Sequence, residues 1–187
     1  MQTRQLTLGA MIAAAYVILT LLTSLLGLAY GPIQFRISEA LCLLPFYFPI
    51  ATWGLFVGCL LSNLLSPYGA LDVIFGSIAT LVACLWTSRM RRKALTPLPM
   101  AISNGIIVGA LIALSGSRDL SVFIPNFLWN ACTVAAGELA VGYILGLPLL
   151  HFLPRNNFFR ARIVQNLPQP KQKATPPAES EERDGDL

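Results

Sequence analysis

Arg36 and Glu39 stand three residues apart in the run Gly31-Pro32-Ile33-Gln34-Phe35-Arg36-Ile37-Ser38-Glu39-Ala40-Leu41, at the mouth of a strongly apolar stretch. A guanidinium offers only donors and a carboxylate only acceptors. The two can pair with each other at i, i+3, or they can meet the acceptors and donors of a polar solute. Ionisable groups at or inside a bilayer are costly, and they persist where they pair, line a pathway or hold a ligand. Between Gln5 and Arg89 the only other charged residue is Asp72. It begins an apolar segment, where N-capping is its simplest use.

Glu138 lies mid-way along the last apolar segment, where a charge costs about 2.5–3.5 kcal/mol. It either closes a hydrogen bond inside a helical bundle or contacts a ligand or ion. Asn126 and Asn130 share that segment, Asn104 lies in the segment before it, and Asn63 ends the third. One such amide is ordinary interhelical glue. Their coexistence with Arg36, Glu39 and Glu138 points to a polar central pocket.

The elements that must position these residues are membrane helices. The chain has 187 residues, of which 55% are hydrophobic and only 12% charged, against about 25% in soluble proteins. Mean hydropathy is +0.65. These values describe a polytopic membrane protein. The net charge of +4 follows from basic loops and a basic tail, without the basic–aromatic interleaving of a nucleic-acid surface. Cys42, Cys59, Cys84 and Cys132 all fall in apolar segments with no CxxC spacing, so reduced core thiols are expected rather than a disulfide or metal site. The run 6–28 is too long for a signal h-region and reads as a retained span.

Six apolar runs follow: 6–28, 37–50, 51–65, 71–87, 98–114 and 124–153. The second and third are short for a spanning helix of about 20 residues; they tilt, or the second is partly re-entrant. The expected fold is all-α, a six-transmembrane-helix bundle over 1–155 followed by a disordered cytoplasmic tail over 156–187, rich in proline and charge. Six spans put both termini on one side. Arg4, the Arg89-Met90-Arg91-Arg92-Lys93 loop and the basic start of the tail then share that side, which the positive-inside rule makes cytoplasmic. Arg36, Glu39, Asn63 and Asp72 fall near the outer face.

No G-x-x-x-x-G-K-[ST], H-E-x-x-H or G-x-S-x-G motif is present, and the single histidine, His151, has no visible catalytic partner. The chain reads as a non-enzyme with no cofactor or metal and no evident means of hydrolysing nucleotide. Small residues recur four apart at Ala10 and Ala14, Gly54 and Gly58, Gly105 and Gly109, and Gly142 and Gly146, a pattern of close helix packing. Trp53, Tyr68, Trp86 and Trp129 lie mostly near span ends, as interfacial aromatics do.

The run 31–41, Pro45-Phe46-Tyr47-Phe48-Pro49, Gly54-Leu55-Phe56-Val57-Gly58-Cys59, Asp72-Val73-Ile74-Phe75-Gly76-Ser77, and Gly137-Glu138 with Gly146-Leu147-Pro148-Leu149 together resemble the QueT family of queuosine-precursor transporters. The resemblance covers about residues 5–153. It implies a substrate-binding S component of an energy-coupling factor transporter in the bacterial plasma membrane. Such a component works with a transmembrane coupling protein and two ATPase subunits, which fits the missing phosphate loop. By the same resemblance, Ala10 and Ala14 match an Ala-x-x-x-Ala contact with the coupling protein. The implied substrate is a 7-deazaguanine: the 7-aminomethyl compound, its cyano precursor or queuine. Glu39 and Glu138 would then supply acceptors, Arg36 and Asn104 would serve the carbonyl, and Phe35, Phe75 or Trp129 would stack on the ring. Asn63 and Asp72 complete the expected site.

Three rival readings differ in what they require. An S component for another vitamin keeps the bundle and changes the pocket. A solitary ion-coupled carrier would use Glu138 and Asp72. A membrane scaffold would act through its tail.

Overall fold

The structure is a computed structural model that describes residues 3–30, 34–117 and 119–156. Gly31, Pro32, Ile33, Arg118 and the tail expected to be disordered from 157 on lie outside the described residues. Every element among the described residues is helical.

Helix α1 runs Thr3–Leu25 and stops where Gly27 takes a φ of 73°. The Leu28 N–H then reaches back to the Thr23 carbonyl at 3.1 Å, a glycine-dependent helix stop. The next element, Ile37–Phe46, is a 3₁₀ helix. Pro45 has no N–H to give the Leu41 carbonyl, which weakens the α-helical alternative. With three residues per turn, side chains at i and i+3 stack in a column, so Arg36, Glu39, Cys42 and Pro45 share one edge. Helix α2 runs Ala51–Asn63. A π-helical turn, Asp72–Gly76, leads into α3, Ser77–Thr87. Helix α4 runs Pro97–Gly116, its φ pre-set by proline at the start. Helix α5, Leu120–Val141, passes through a second π-helical turn, Gly142–Gly146, into α6, Leu147–Phe152.

Three stretches are long and apolar enough to cross a membrane: Gln5–Leu25, Lys93–Gly116 and Leu120–Arg155. Ile37–Phe46, Ala51–Asn63 and Asp72–Thr87 are apolar but shorter. At about 1.5 Å per residue, α2 is about 20 Å long against a hydrocarbon core of about 30 Å. The six apolar runs therefore correspond to three long stretches and three short ones. The chain is a helical membrane protein.

The 3₁₀ helix occupies the middle. Ser38, Glu39, Cys42 and Leu43 are almost wholly buried, and α1, α2, α3, α5 and α6 all pack on it. Leu43 and Cys42 join Tyr16, Leu55, Cys84, Met100 and Leu150 in the main apolar core, while Ala79, Val108, Ile112 and Val134 form a smaller one between α3, α4 and α5. Three of the four small-residue pairs are spent inside this bundle. Gly105 and Gly109 lie against Ala131 and Ala135 of α5, Gly142 against Pro97, and Gly146 against Leu43. Gly54 and Gly58 of α2 lie against Gly9, Ala13 and Tyr16 of α1. Ala10 and Ala14 instead face outward on α1.

The α1–α2 crossing is asymmetric. A methyl group on Gly54 would meet the backbone carbonyl of Gly9, whereas one on Gly9 would meet nothing within 4 Å. Gly54→Ala is therefore expected to cost about 1–3 kcal/mol as an overpacked contact. Gly9→Ala should be neutral or stabilising by up to about 1 kcal/mol through helix propensity. Thermal unfolding of both variants in detergent checks this; equal melting temperatures would contradict the crossing described.

Candidate functional site

The 3₁₀ column places Arg36, Glu39 and Cys42 in the bundle interior, with Arg36 5% and Glu39 0% exposed. Charges this deep are destabilising unless paired and hydrogen-bonded, and their partners come from several helices. The Tyr16 hydroxyl of α1 donates to Glu39 Oε1 at 2.5 Å, and the Cys42 thiol donates to Glu39 Oε2 at 3.1 Å. Arg36 Nη1 lies 3.9 Å from Glu39 Oε1. Arg36 Nη2 donates to Asn63 Oδ1 at 2.5 Å, and Asn63 Nδ2 donates to the Asp72 backbone carbonyl at 3.1 Å. The guanidinium also lies over the Tyr30 ring, 4.9 Å from its centroid, a cation–π contact. Tyr30 donates its hydroxyl to the Ser62 carbonyl at 2.7 Å. Burial lifts that phenol above its ordinary pKa, with Arg36 opposing, so it stays a donor at neutral pH.

A second polar group comes from α4 and α5. Asn104 Nδ2 donates to Glu138 Oε1 at 2.8 Å, with both residues 3% exposed. Glu138 lies within electrostatic reach of Glu39 and Arg36. What joins the two groups is Gly137, whose missing side chain lets the Gln34 backbone lie directly on α5. Gln34 is two residues before Arg36, so the extended segment entering the 3₁₀ helix is seated beside Glu138.

Three buried polar atoms of this assembly have no hydrogen-bond partner: Arg36 Nε, Asn104 Oδ1 and Glu138 Oε2. Buried polar atoms are nearly always paired. One donor and two acceptors thus stand open on three separate elements, and a polar solute could satisfy them. Glu39, by contrast, has an internal donor on each oxygen, so its acceptor capacity is largely used within the protein.

Of the residues expected from sequence, Arg36, Glu39, Asn63, Asn104 and Glu138 come together, and Phe35 is half-buried next to Arg36. Asp72 is 3% exposed. It is not the cap of its helix, because Leu71 before it already has helical angles. Its carboxylate instead lies over Gly76, next to the Asn63 amide. Phe75 and Trp129 are placed elsewhere. Phe75 is 47% exposed and lines an outward apolar groove with Leu71, Ile106 and Phe123; Trp129 is 66% exposed on α5. Asn126 Nδ2 donates to Ser117 Oγ, and Asn130 Nδ2 to the Asn126 carbonyl. Cys42, Cys59 and Cys84 are buried as expected, but Cys132 is exposed, since an outward face covered by lipid is as apolar as a core.

Sequence reasoning missed Tyr16, Tyr30, Thr20 and Ser38. The Thr20 hydroxyl donates to Ser38 Oγ at 2.7 Å. Tyr16, Thr20 and Thr23 are each 0% exposed. Their spacing of four and three along α1 is a one-face polar stripe that helical periodicity alone could have found.

A family model described as QueT transporter matches residues 6–155. A protein of Lactococcus lactis subsp. cremoris, named Queuosine precursor transporter QueT, is 45% identical over 73 residues, covering 39% of this chain and 43% of that protein. The chain thus spans less than half the length of this curated relative. No solved structure matches.

Proposed function

Because this chain belongs to the QueT transporter family, we propose that it captures a 7-deazaguanine queuosine precursor at the outer membrane face for import. The observation that carries this reading is the set of open atoms on Arg36, Asn104 and Glu138. A guanine-like edge presents adjacent N–H donors and one carbonyl. Glu138 Oε2 and Asn104 Oδ1 accept the donors, and Arg36 Nε–H serves the carbonyl. Glu39, Tyr16 and Asn63 hold Arg36 in place, and the half-buried Phe35, adjacent to Arg36 in the chain, stacks on the ring.

The chain acts as the S component of an energy-coupling factor importer, with six segments in the membrane and both termini cytoplasmic. Substrate binds from outside. The loaded bundle engages a transmembrane coupling protein through the exposed Ala10 and Ala14 face of α1, reorients and releases substrate inward. ATP hydrolysis by two partner subunits resets it. Two features support this division of labour: the missing phosphate-binding loop, and an α1 face whose small residues are not used inside the bundle.

The test is titration of purified protein in detergent with a panel of 7-deazaguanines, guanine and several vitamins, read by calorimetry and tryptophan fluorescence. Selective, tight binding of a deazaguanine is expected. Selective binding of a vitamin would overturn the substrate. Uptake by this chain alone, driven by an ion gradient, would overturn the S-component assignment.

A further inference from the structure

Exposed positive charge gathers at one end of the bundle. Arg89, Arg91, Arg92 and Lys93 fall between the apolar helix that ends at Thr87 and the long apolar stretch that starts at Lys93. All four are exposed. A short loop between two membrane helices lies at the level of the lipid headgroups. Arg155, also exposed, follows α6 by three residues. Helix α6 packs on the 3₁₀ turn Lys93–Leu95, so the loop and the end of α6 form one surface.

No carboxylate answers this charge. The acids among the described residues are Glu39, Asp72, Asp119 and Glu138. Three are buried in the bundle, and Asp119 lies beyond the other end of α4. None of the five cations makes an ion pair among the described residues.

The surface is held in shape. Arg89 Nη1 donates to the Leu85 carbonyl at 3.0 Å, and the Tyr143 hydroxyl of the second π-helical turn donates to the Ala94 carbonyl at 3.1 Å. Lys93 Nζ lies 5.1 Å from the centroid of the Tyr47 ring. Arg91 and Arg92 have no such internal commitment among the described residues. Apolar side chains flank the cations: Leu85, Trp86, Leu95 and Phe152 are all exposed, Trp86 by 45% and Phe152 by 61%.

We propose that this end of the bundle binds anionic phospholipid, with Arg91 and Arg92 as the principal ligands of the headgroup phosphate. A guanidinium matches two phosphate oxygens at once. Arg89, Lys93 and Arg155 add to the attraction, and clusters of about four to eight bases beside a membrane helix draw anionic lipid. A lipid fits better than a soluble phosphate compound, because the exposed apolar side chains offer a seat to an acyl chain. Tyr47 lies past the end of the 3₁₀ helix opposite Arg36, so the surface is separate from the polar pocket and the proposal is independent of the solute carried.

The experiment titrates the full chain in neutral detergent with phosphatidylglycerol, cardiolipin and phosphatidylcholine, counting bound lipid by native mass spectrometry. The two anionic lipids are expected to bind at least about tenfold more tightly than phosphatidylcholine, with the preference shrinking as salt is raised. Arg91→Gln with Arg92→Gln is expected to weaken anionic lipid by about 10- to 30-fold and to leave phosphatidylcholine unchanged. Arg91→Lys with Arg92→Lys should restore most of the preference, which a merely structural role for the arginines would not allow. Equal binding of all three lipids by the wild-type protein overturns the proposal. An unchanged preference in the glutamine variant removes Arg91 and Arg92 from the role. A preference that emerges only after Glu179, Glu181, Glu182, Asp184 and Asp186 are neutralised would put the chain's own acidic end in the lipid's place and overturn the proposal as well.

Discussion

Glu138→Gln is expected to weaken deazaguanine binding by at least about tenfold, the scale of one hydrogen bond to a charged group. Glutamine has nearly the same shape, and its carbonyl oxygen can still accept from Asn104 Nδ2, the contact seen at 2.8 Å. The other terminal atom changes from acceptor to NH₂ donor. It then faces the ligand's N–H groups donor to donor, and a site built for hydrogen bonding rejects such a mismatch strongly. Stability should move the other way. Removing a deeply buried charge that has a single hydrogen bond is neutral or stabilising, so the melting temperature of the empty protein should hold or rise. Calorimetric titration and thermal unfolding of the same preparation check both halves. Full affinity in the glutamine variant would remove Glu138 from the site, and a lower melting temperature with lost binding would make its role structural.

For Gly137→Ala, binding and stability should fall together. A methyl group there runs into the Gln34 carbonyl oxygen, and a backbone atom cannot swing aside as a side-chain tip does. The cost expected is about 1–3 kcal/mol, relieved only by lifting the Gln34 segment off α5. Arg36 sits two residues along and moves with it, so affinity should drop by about tenfold or more. Gly116→Ala is the control, because nothing lies within 4 Å of the added methyl; it should leave both quantities near wild type. Normal affinity in Gly137→Ala would show that the seat on α5 does not align the two halves of the site.

Much of the frame was legible in the sequence. A charged residue in an apolar run is rare enough to be seen singly, and Arg36, Glu39, Asp72 and Glu138 were each visible that way. Helix breaks at Gly31-Pro32, Pro49 and Pro67 marked the short middle elements. The identity of those elements was less accessible. Arg36 and Glu39 read as neighbours at i, i+3 on an α-helix, but the 3₁₀ geometry extends the column to Cys42, which composition assigned to inert core. Tyr16 gave no signal of its own, since a tyrosine in an apolar helix is ordinary until its hydroxyl is seen to meet Glu39.

Phe75 and Trp129 show why the rest stayed hidden. In water, hydrophobicity marks the inward face of a helix. In a bilayer the outward face is equally apolar, because lipid solvates it as well as the core does. The amino-acid order thus establishes that the chain lives in a membrane, where its apolar segments lie and which few polar groups they carry. It cannot say which way an aromatic points. Partnerships among the polar groups are also beyond it, since they join residues far apart in the chain: 27 positions for Arg36 and Asn63, 34 for Asn104 and Glu138. Those pairings, and the open valences left beside them, arise only when glycine-lined helices pack closely enough for backbones to touch.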